Sequence, residues 1–437
     1  MPGVLLISID TLRADHVGCY GYHRPTTPVL DRLAEEGIRF ARMYSVSSWT
    51  LPAHMSLMTS RYPHGHKVER SDRALAPMIP TLAQALSERG MRTGAIISWF
   101  YVSARFGFDR GFDDFIELLP EREELAASYK AADVVDRASA WLRRVARQRK
   151  PFFLFVHLFD PHLHYSPPPP FDRKFASETG GLVDGTYDSL SPYIKGLHAE
   201  PARISPQDLE QAVALYDGEI SYTDTEIGRL LDLLDQLSLE DSTLVIVTSD
   251  HGEEHDDHGS MEGHQWTLYD EILHVPMIAR LPGGPRGKVV DAMAEIIDVA
   301  PTVLDWLGLQ LTPGFRGRSL LPLAAGEEAG GERLVYSKTE RFNSKQAVRS
   351  AAHKLIHTVD IGMNSFGVPV EPGYELYDLR SDPREQKNIY SESSAVAQDL
   401  KKALLHWLAT REPAEPGEEV EFTEKEKKRL RSLGYLR

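Results

Sequence analysis

Three short runs constrain the fold of this chain more than any other feature. Val4–Ile9, Phe152–Val156 and Thr243–Thr248 are apolar or β-branched almost throughout, without a polar residue at every second position. A strand with one wet face alternates. A strand without alternation is covered on both faces, which requires helices on either side of its sheet. Stretches with helical spacing lie between these runs: Pro28–Glu36, with apolar Val29, Leu30 and Leu33, then Pro80–Arg89, Asp133–Arg147, Gln207–Leu237 and Ile297–Leu307. Thr93–Ser98 and Pro276–Arg280 read as further strands. This alternation predicts an α/β fold with a mostly parallel central sheet flanked by helices. In such folds ligands sit beyond the C-terminal ends of the strands.

The 437 residues exceed what one core usually encloses, about 250–300 residues. The stretch LAAGEEAGGER near 320–333 reads as a linker. It predicts a catalytic α/β domain over 1–322 and a small C-terminal α+β subdomain over 333–411. Within the latter, Leu334–Leu379 reads as strands and turns and Ser394–Ala409 as a helix. Residues 412–437 read as an acidic and charged surface tail, and no internal repeat is present.

With 49 Lys+Arg against 64 Asp+Glu, the net charge is −15. That balance argues against a nucleic-acid groove, which needs a basic stripe to neutralise phosphates. Cys19 is the sole cysteine, so there is no intramolecular disulfide and no Cys-rich zinc module; it reads as inert packing. The N-terminal MPGVLLISID has no basic segment leading into a long apolar run, and no stretch approaches the ~20 apolar residues of a membrane span. The expectation is a cytoplasmic enzyme without a membrane anchor, its oligomeric state open.

The ends of the three apolar runs carry metal-capable side chains. Asp10 follows the first, and the second leads into His157-Leu-Phe-Asp160-Pro-His162-Leu-His164. The third leads into Asp250-His251-Gly-Glu253-Glu254-His255-Asp256-Asp257-His258, with His264 beyond. Each residue alone reads as a loop cap or a solvated group. Three clusters converging on one sheet edge instead predict a divalent-metal site, because buried carboxylate and imidazole need pairing or a cation. A fourth element is Thr50-Leu51-Pro52-Ala53-His54, where Pro52 suggests a helix start and Thr50 serves equally as an N-cap or as a hydroxyl at the anion-favouring end.

These stretches resemble the sulfatase family of the alkaline phosphatase superfamily. The resemblance is carried by Ile9-Asp10-Thr-Leu-Arg13-Ala-Asp15-His16 with Gly-Cys-Tyr-Gly-Tyr, by Thr50-Leu-Pro-Ala-His54 and by Asp160-Pro-His162. It continues through Tyr216-Asp-Gly-Glu219, Ser249-Asp250-His251-Gly-Glu-Glu254, Gly263-His264…Leu268-Tyr269-Asp-Glu271…Val275-Pro276 and Glu375-Leu-Tyr377. It implies a metal held by Asp10, Asp250 and His251, with the nucleophile hydroxyl on the same ion. Thr11 stands where many sulfatases place a second acid.

The larger departure is at the nucleophile. Sulfatases carry a C/S-x-P-x-R motif whose Cys or Ser becomes formylglycine; here Thr50 and His54 stand at its ends. Thr cannot give that aldehyde, so a covalent Thr50 ester has to be opened by water at phosphorus or sulfur. Thr nucleophiles of that kind occur in the nucleotide pyrophosphatase/phosphodiesterase and phosphoethanolamine-transferase branches. Asp160 and His164, with His264, resemble the second-metal set of the two-metal branches. The resulting roster places Asp10, Thr50, Asp250 and His251 on one metal and Asp160, His164 and His264 on a second. Thr50 attacks, while His162 or His54 protonates the leaving group or, with His264, binds the anion.

The expected cofactor is one or two divalent ions per chain, Zn, Mn, Ca or Mg. The expected substrate is a small anionic ester, a phosphodiester or phosphonate-type ester ahead of a sulfate ester. Sulfuric ester hydrolysis without formylglycine and phospho-group transfer are the alternatives; a non-catalytic module would have lost Asp10, Asp250 and His251. Among the remaining polar residues, 255–258 read as a solvated loop, with Glu253 or His258 behind the ligands. Arg13 reads as structural, His64 and His66 as rim residues, and His157 as either a core histidine or a partner of the ligands. Pro167–Pro170 reads as a stiff pocket wall.

Overall fold

The computed structural model describes residues 2–119, 129–176, 180–198, 200–327, 331, 333–410 and 416–432. Nine strands build the main sheet: β1 (Gly3–Ile9), β2 (Ile38–Tyr44), β3 (Arg92–Ile97), β4 (Asp114–Glu117), β5 (Phe152–Leu158), β6 (Thr243–Ser249), β7 (His274–Val275), β8 (Met277–Arg280) and β9 (Lys288–Glu295). β4, β3, β5, β1 and β6 lie side by side and parallel, followed by antiparallel β8, then β2, with β9 parallel to β2. β7 and β8 pair with the same strand, β2, and are separated by Pro276, which has no N–H to donate to the ladder. The three unbroken apolar runs are the three central strands, and every residue in them is buried. The fold is therefore the mixed α/β architecture that the pattern predicts.

Helices cover both faces. On one side Ala131–Gln148 buries Val134, Val135, Ala138, Trp141, Leu142 and Val145 at three- and four-residue spacing. Trp141 lies flat on β3 because Gly94 leaves room there; a Cβ would stand 2.3 Å from its indole. The long helix Pro206–Gln236, started by Ser205 accepting from the Asp208 amide, joins the same layer. On the other side Thr50–Thr59, Leu82–Ser87 and Val299–Trp306 pack against Phe40, Phe153 and Phe155. No described helix is long and apolar enough to cross a membrane.

A second sheet is an antiparallel meander of β10 (Val335–Thr339), β11 (Lys345–Arg349), β12 (His353–Thr358) and β13 (Gly373–Asp378). Alternation splits its side chains between two faces. Val348, Leu355 and Leu376 meet helix Ala395–Ala409, whereas Ala347, Ile356 and Tyr377 meet Tyr44, Leu268 and Ile272 of the main body. Charge also ties the two parts together: buried Lys354 reaches Asp270 at 3.0 Å and Glu385 at 2.9 Å, and Arg349 grips Asp270.

The expected surface tail differs in its described part, 416–432. It folds back, with Val420 N donating to Asp72 O and Ala74 N to Glu418 O, and buries Leu430 in the main core. Its apolar Val420, Phe422 and Leu430 outweigh the acidic residues between them; 412–415 and 433–437 lie outside the described residues.

Candidate active site

β5, β1 and β6 are neighbours, so their C-terminal ends bring Asp10, His157 and Asp250–His251 to one edge. The chain leaves β1 through Thr11, a β-branched residue at φ +55°, in the sparsely populated left-handed region. Such strain persists where the surroundings fix it. Here Tyr216 does so, donating to Thr11 O at 2.7 Å and accepting from Arg13 N at 3.1 Å, while Thr11 N donates to Asp250 Oδ1 at 3.3 Å.

His251 donates from Nδ1 to Gly252 O (2.9 Å), which leaves Nε2 with its lone pair. That nitrogen lies 3.2 Å from Asp250 Oδ2, 3.6 Å from Asp10 Oδ1 and 3.4 Å from the Thr50 hydroxyl. Asp10 Oδ1 and Asp250 Oδ2 are buried and accept no hydrogen bond. Burial, Asp250 and Glu253 push Asp10 well above the usual carboxylate range. Against burial, His251 and His54 hold Asp250 below it. Acceptors converging without donors repel one another unless a cation sits among them, so Asp10, Asp250 and His251 fit a divalent metal.

Thr50 is the first residue of helix Thr50–Thr59, and Trp49, not Thr50, holds the N-cap position. The Thr50 hydroxyl thus lies at the positive end of the helix and is free of capping duty; it faces Asp10 and His251. One turn later His54 does not reach outward. Its Nδ1–H donates to Thr50 O (3.0 Å), 3.3 Å from Asp250 Oδ2, and its Nε2 accepts from Ser8 (2.9 Å). Both nitrogens are committed, so His54 orients Thr50 and Asp250 and is neither the acid nor the anion contact expected of it.

The second metal set is not brought together either. Asp160 accepts from Lys130 Nζ (3.0 Å) and Ala131 N (2.7 Å), capping the helix that begins there. Lys130 also binds buried Glu219 at 2.8 Å, which in turn accepts from Ser166 N. His164 Nδ1 accepts from Tyr187 N. His264 donates from Nδ1 to Glu253 at 3.0 Å, and its Nε2 accepts from Gln265 at 3.1 Å. Among the described residues no ligand trio joins Asp160, His164 and His264. Glu253, Glu262 and His264 form a trio of their own. Burial pushes Glu253 and Glu262 up, and Glu253 accepts from His264 Nδ1.

His162 belongs to the site. It stacks on Phe159 (4.6 Å) and faces His264 (5.2 Å), and its Nδ1 donates to Leu163 O at 2.8 Å. Burial lowers it to about 3, so the ring is neutral at neutral pH and Nε2 is its basic atom. His157 touches Asp10 Oδ2 at 3.3 Å, which makes it a partner of the ligands.

The loop after β6 is not the solvated one expected: Arg13 pairs with Asp15 and Asp257, buried His255 packs on Tyr216, and His258 meets Glu271 at 2.6 Å. His66, bonded to Ser56, and His64, against Trp407, lie in the core and not at a rim. Burial and Asp31 push the Cys19 thiol up to about 12, consistent with an inert group. Sequence reasoning missed Lys130, Gln265 and Arg341. None carries a local signal, because each meets its partners only through the fold.

A family model described as Sulfatase matches residues 2–309, and one described as N-sulphoglucosamine sulphohydrolase, C-terminal, matches residues 258–410. An N-acetylglucosamine-6-O-sulfatase of Bacteroides thetaiotaomicron is 24% identical over 90% of this chain and 83% of its own length. Human arylsulfatase K is 23% identical over 92% of this chain and 81% of its own. Among solved structures, a phosphonate monoester hydrolase of Agrobacterium radiobacter superposes with a TM-score of 0.75 at 23% identity, covering 94% of this chain and 96% of that one.

Proposed function

This chain belongs to the sulfatase family, and we propose that within it the molecule is a metal-dependent hydrolase of phosphoric and phosphonic esters, with Thr50 as nucleophile. One observation carries the reading. The Thr50 hydroxyl, which the motif resemblance matches to the family's formylglycine-forming residue, stands between Asp10 and His251 beside two unsatisfied carboxylate oxygens. An ester on Thr50 has no aldehyde carbon through which to collapse. It leaves by attack on the central atom, for which phosphorus is the favoured centre.

Asp10, Asp250 and His251 would hold the cation, which when bound favours the alkoxide form of Thr50 and offsets charge on the transferred group. The protein's own groups do the rest. Asp10 faces the Thr50 hydroxyl and orients it; as the Thr50 oxygen bonds to the central atom the bond to the leaving alcohol breaks, and the Thr50 proton ends on that alcohol. His54 fixes the Thr50 backbone and keeps Asp250 in place. His162, neutral because of burial, helps to orient the water that opens the Thr50 ester, whose proton ends on the departing Thr50 oxygen. Phe159 and Trp99, stacked at 4.4 Å, back that histidine and exclude bulk water behind it.

A phosphonate monoester hydrolase shares this fold, but so does a 2-O GAG sulfatase, so the choice of substrate rests on Thr50. Sulfuric ester hydrolysis through the same Thr50 is the second reading, favoured by relatives that are named sulfatases. The test is a side-by-side assay of the metal-loaded protein on aryl sulfate, aryl phosphate, phosphodiester and phosphonate monoester. Phosphorus esters are expected to be turned over faster, and a clear preference for aryl sulfate overturns the ranking. Thr50→Ala is expected to lower kcat by about a thousandfold or more, as loss of a nucleophile does.

A further inference from the structure

Residues 11–13, which carry the chain away from β1, hang from three hydrogen bonds in a row. Thr11 N donates to Asp250 Oδ1 at 3.3 Å, Leu12 N to Ser249 Oγ at 3.1 Å and Arg13 N to the Tyr216 hydroxyl at 3.1 Å. Ser249 ends β6 and Asp250 follows it, so the first two bonds tie one strand end to the next. Tyr216 comes from elsewhere, the helix Pro206–Gln236. Its ring is buried against His16, Tyr165 and His255, with ring centres 5.1, 5.6 and 4.6 Å away. Its hydroxyl accepts from Arg13 N and also donates to Thr11 O at 2.7 Å. One proton and two lone pairs allow both bonds, and a phenylalanine could make neither.

The residue so held is Thr11, at φ +55°. A β-branched side chain disfavours that conformation. The Thr11 hydroxyl does not offset the strain, because Oγ1 is buried and makes no hydrogen bond. What Thr11 supplies is backbone. Turning its φ to the ordinary negative range rotates the peptide before it against the peptide after it, since each is planar. Either the Thr11 amide then leaves Asp250 or the Leu12 amide leaves Ser249. The first bond fixes Asp250 Oδ1 and leaves Oδ2 facing His251 Nε2 at 3.2 Å. The second holds a serine that itself donates to His251 O at 2.7 Å. Both routes end on a residue of the cation trio.

We propose that Tyr216 is a positioning residue of the metal centre. Its hydroxyl holds Thr11 in the left-handed conformation, and through Thr11 it fixes the direction in which Asp10 and Asp250 present their unbonded oxygens. The proposal rests on the reading of Asp10, Asp250 and His251 as metal ligands. It does not depend on which ester is attacked.

The experiment compares the wild type, Tyr216→Phe, Thr11→Gly and the double variant. The readout is the dissociation constant for Mn²⁺ and for Zn²⁺, measured by competition with a chelating dye, so no substrate is needed. Tyr216→Phe keeps the buried ring and loses the hydroxyl. It is expected to weaken metal binding by about tenfold or more, the usual range for a group that orients a ligand. Glycine takes φ +55° without strain, so the hydroxyl has less to hold. In the Thr11→Gly background the same change is therefore expected to weaken binding by about threefold or less. Equal losses in the two backgrounds overturn the proposal, because the hydroxyl then acts on the fold at large and not through Thr11. A constant unchanged in Tyr216→Phe overturns it too. So does a Tyr216→Phe chain that does not fold while the wild type binds metal, which makes the hydroxyl a structural group. A wild type that binds neither ion overturns the metal reading along with the proposal, and that outcome is read before any variant is made.

Discussion

A buried carboxylate oxygen without a hydrogen bond is unfavourable, and among the described residues two of them, Asp10 Oδ1 and Asp250 Oδ2, stand around the lone pair of His251. Mass-spectrometric metal analysis is accordingly expected to find one divalent ion per chain. Asp250→Asn should lose it and His164→Ala should keep it; two ions per chain, or loss in His164→Ala, removes the one-site account. At this scale the central trio was legible in the sequence, because parallel neighbouring strands deliver the residues after their last apolar position to a common edge. Asp160 and His164 show the limit of spacing. Lys130, 30 residues earlier, claims Asp160, and nothing near Asp160 announces it. His54 is similar: its place on the helix was readable, but the Ser8 hydroxyl that occupies its outer nitrogen comes from another element.

Helix Pro28–Glu36 has an N-cap residue, Thr27, whose side chain makes no capping bond. Its first amides are instead accepted by Asp224 of the long helix, with Val29 N and Leu30 N each at 2.9 Å. Asp224→Ala strands two amides and is expected to lower stability by about 1–2 kcal/mol, the usual loss for a cap. Denaturant titration checks this, and an unchanged midpoint at constant slope would refute the capping role. Elements with continuous apolar or helical periodicity were legible, down to the nine residues of this helix. β2 and β9 were not. They form the margin of the sheet and carry Arg39, Arg42, Lys288 and Asp291 among their apolar residues, so neither shows the unbroken run of a central strand.

The two-sheet plan of the whole molecule was legible from composition. The contacts that lock the sheets together were not, since they pair residues far apart in the chain. His258 is one: it binds Glu271 at 2.6 Å and Glu385 O at 3.1 Å, joining the loop after β6 to the segment that follows the small sheet. Burial would lower its pKa, but the Glu271 contact prevails and raises it to about 9. A base held above its unfolded value of about 6.5 contributes fully below that pH, and its contribution is lost as pH rises through about 9. The urea midpoint of the wild type is expected to fall between about pH 6.5 and 9.5 by more than that of His258→Gln. Parallel curves for the two proteins would show that His258 is not the group responsible. The order of strands also bears on how the molecule is made. β1 pairs Gly3 with Phe152 on one side and with Thr243 on the other, so this strand is made well before either of its neighbours in the middle of the sheet. At about 5–20 residues per second on the ribosome, roughly ten to fifty seconds separate that strand from its second neighbour. Both edges of this buried strand stay open until β5 has been made, and one of them until β6 follows.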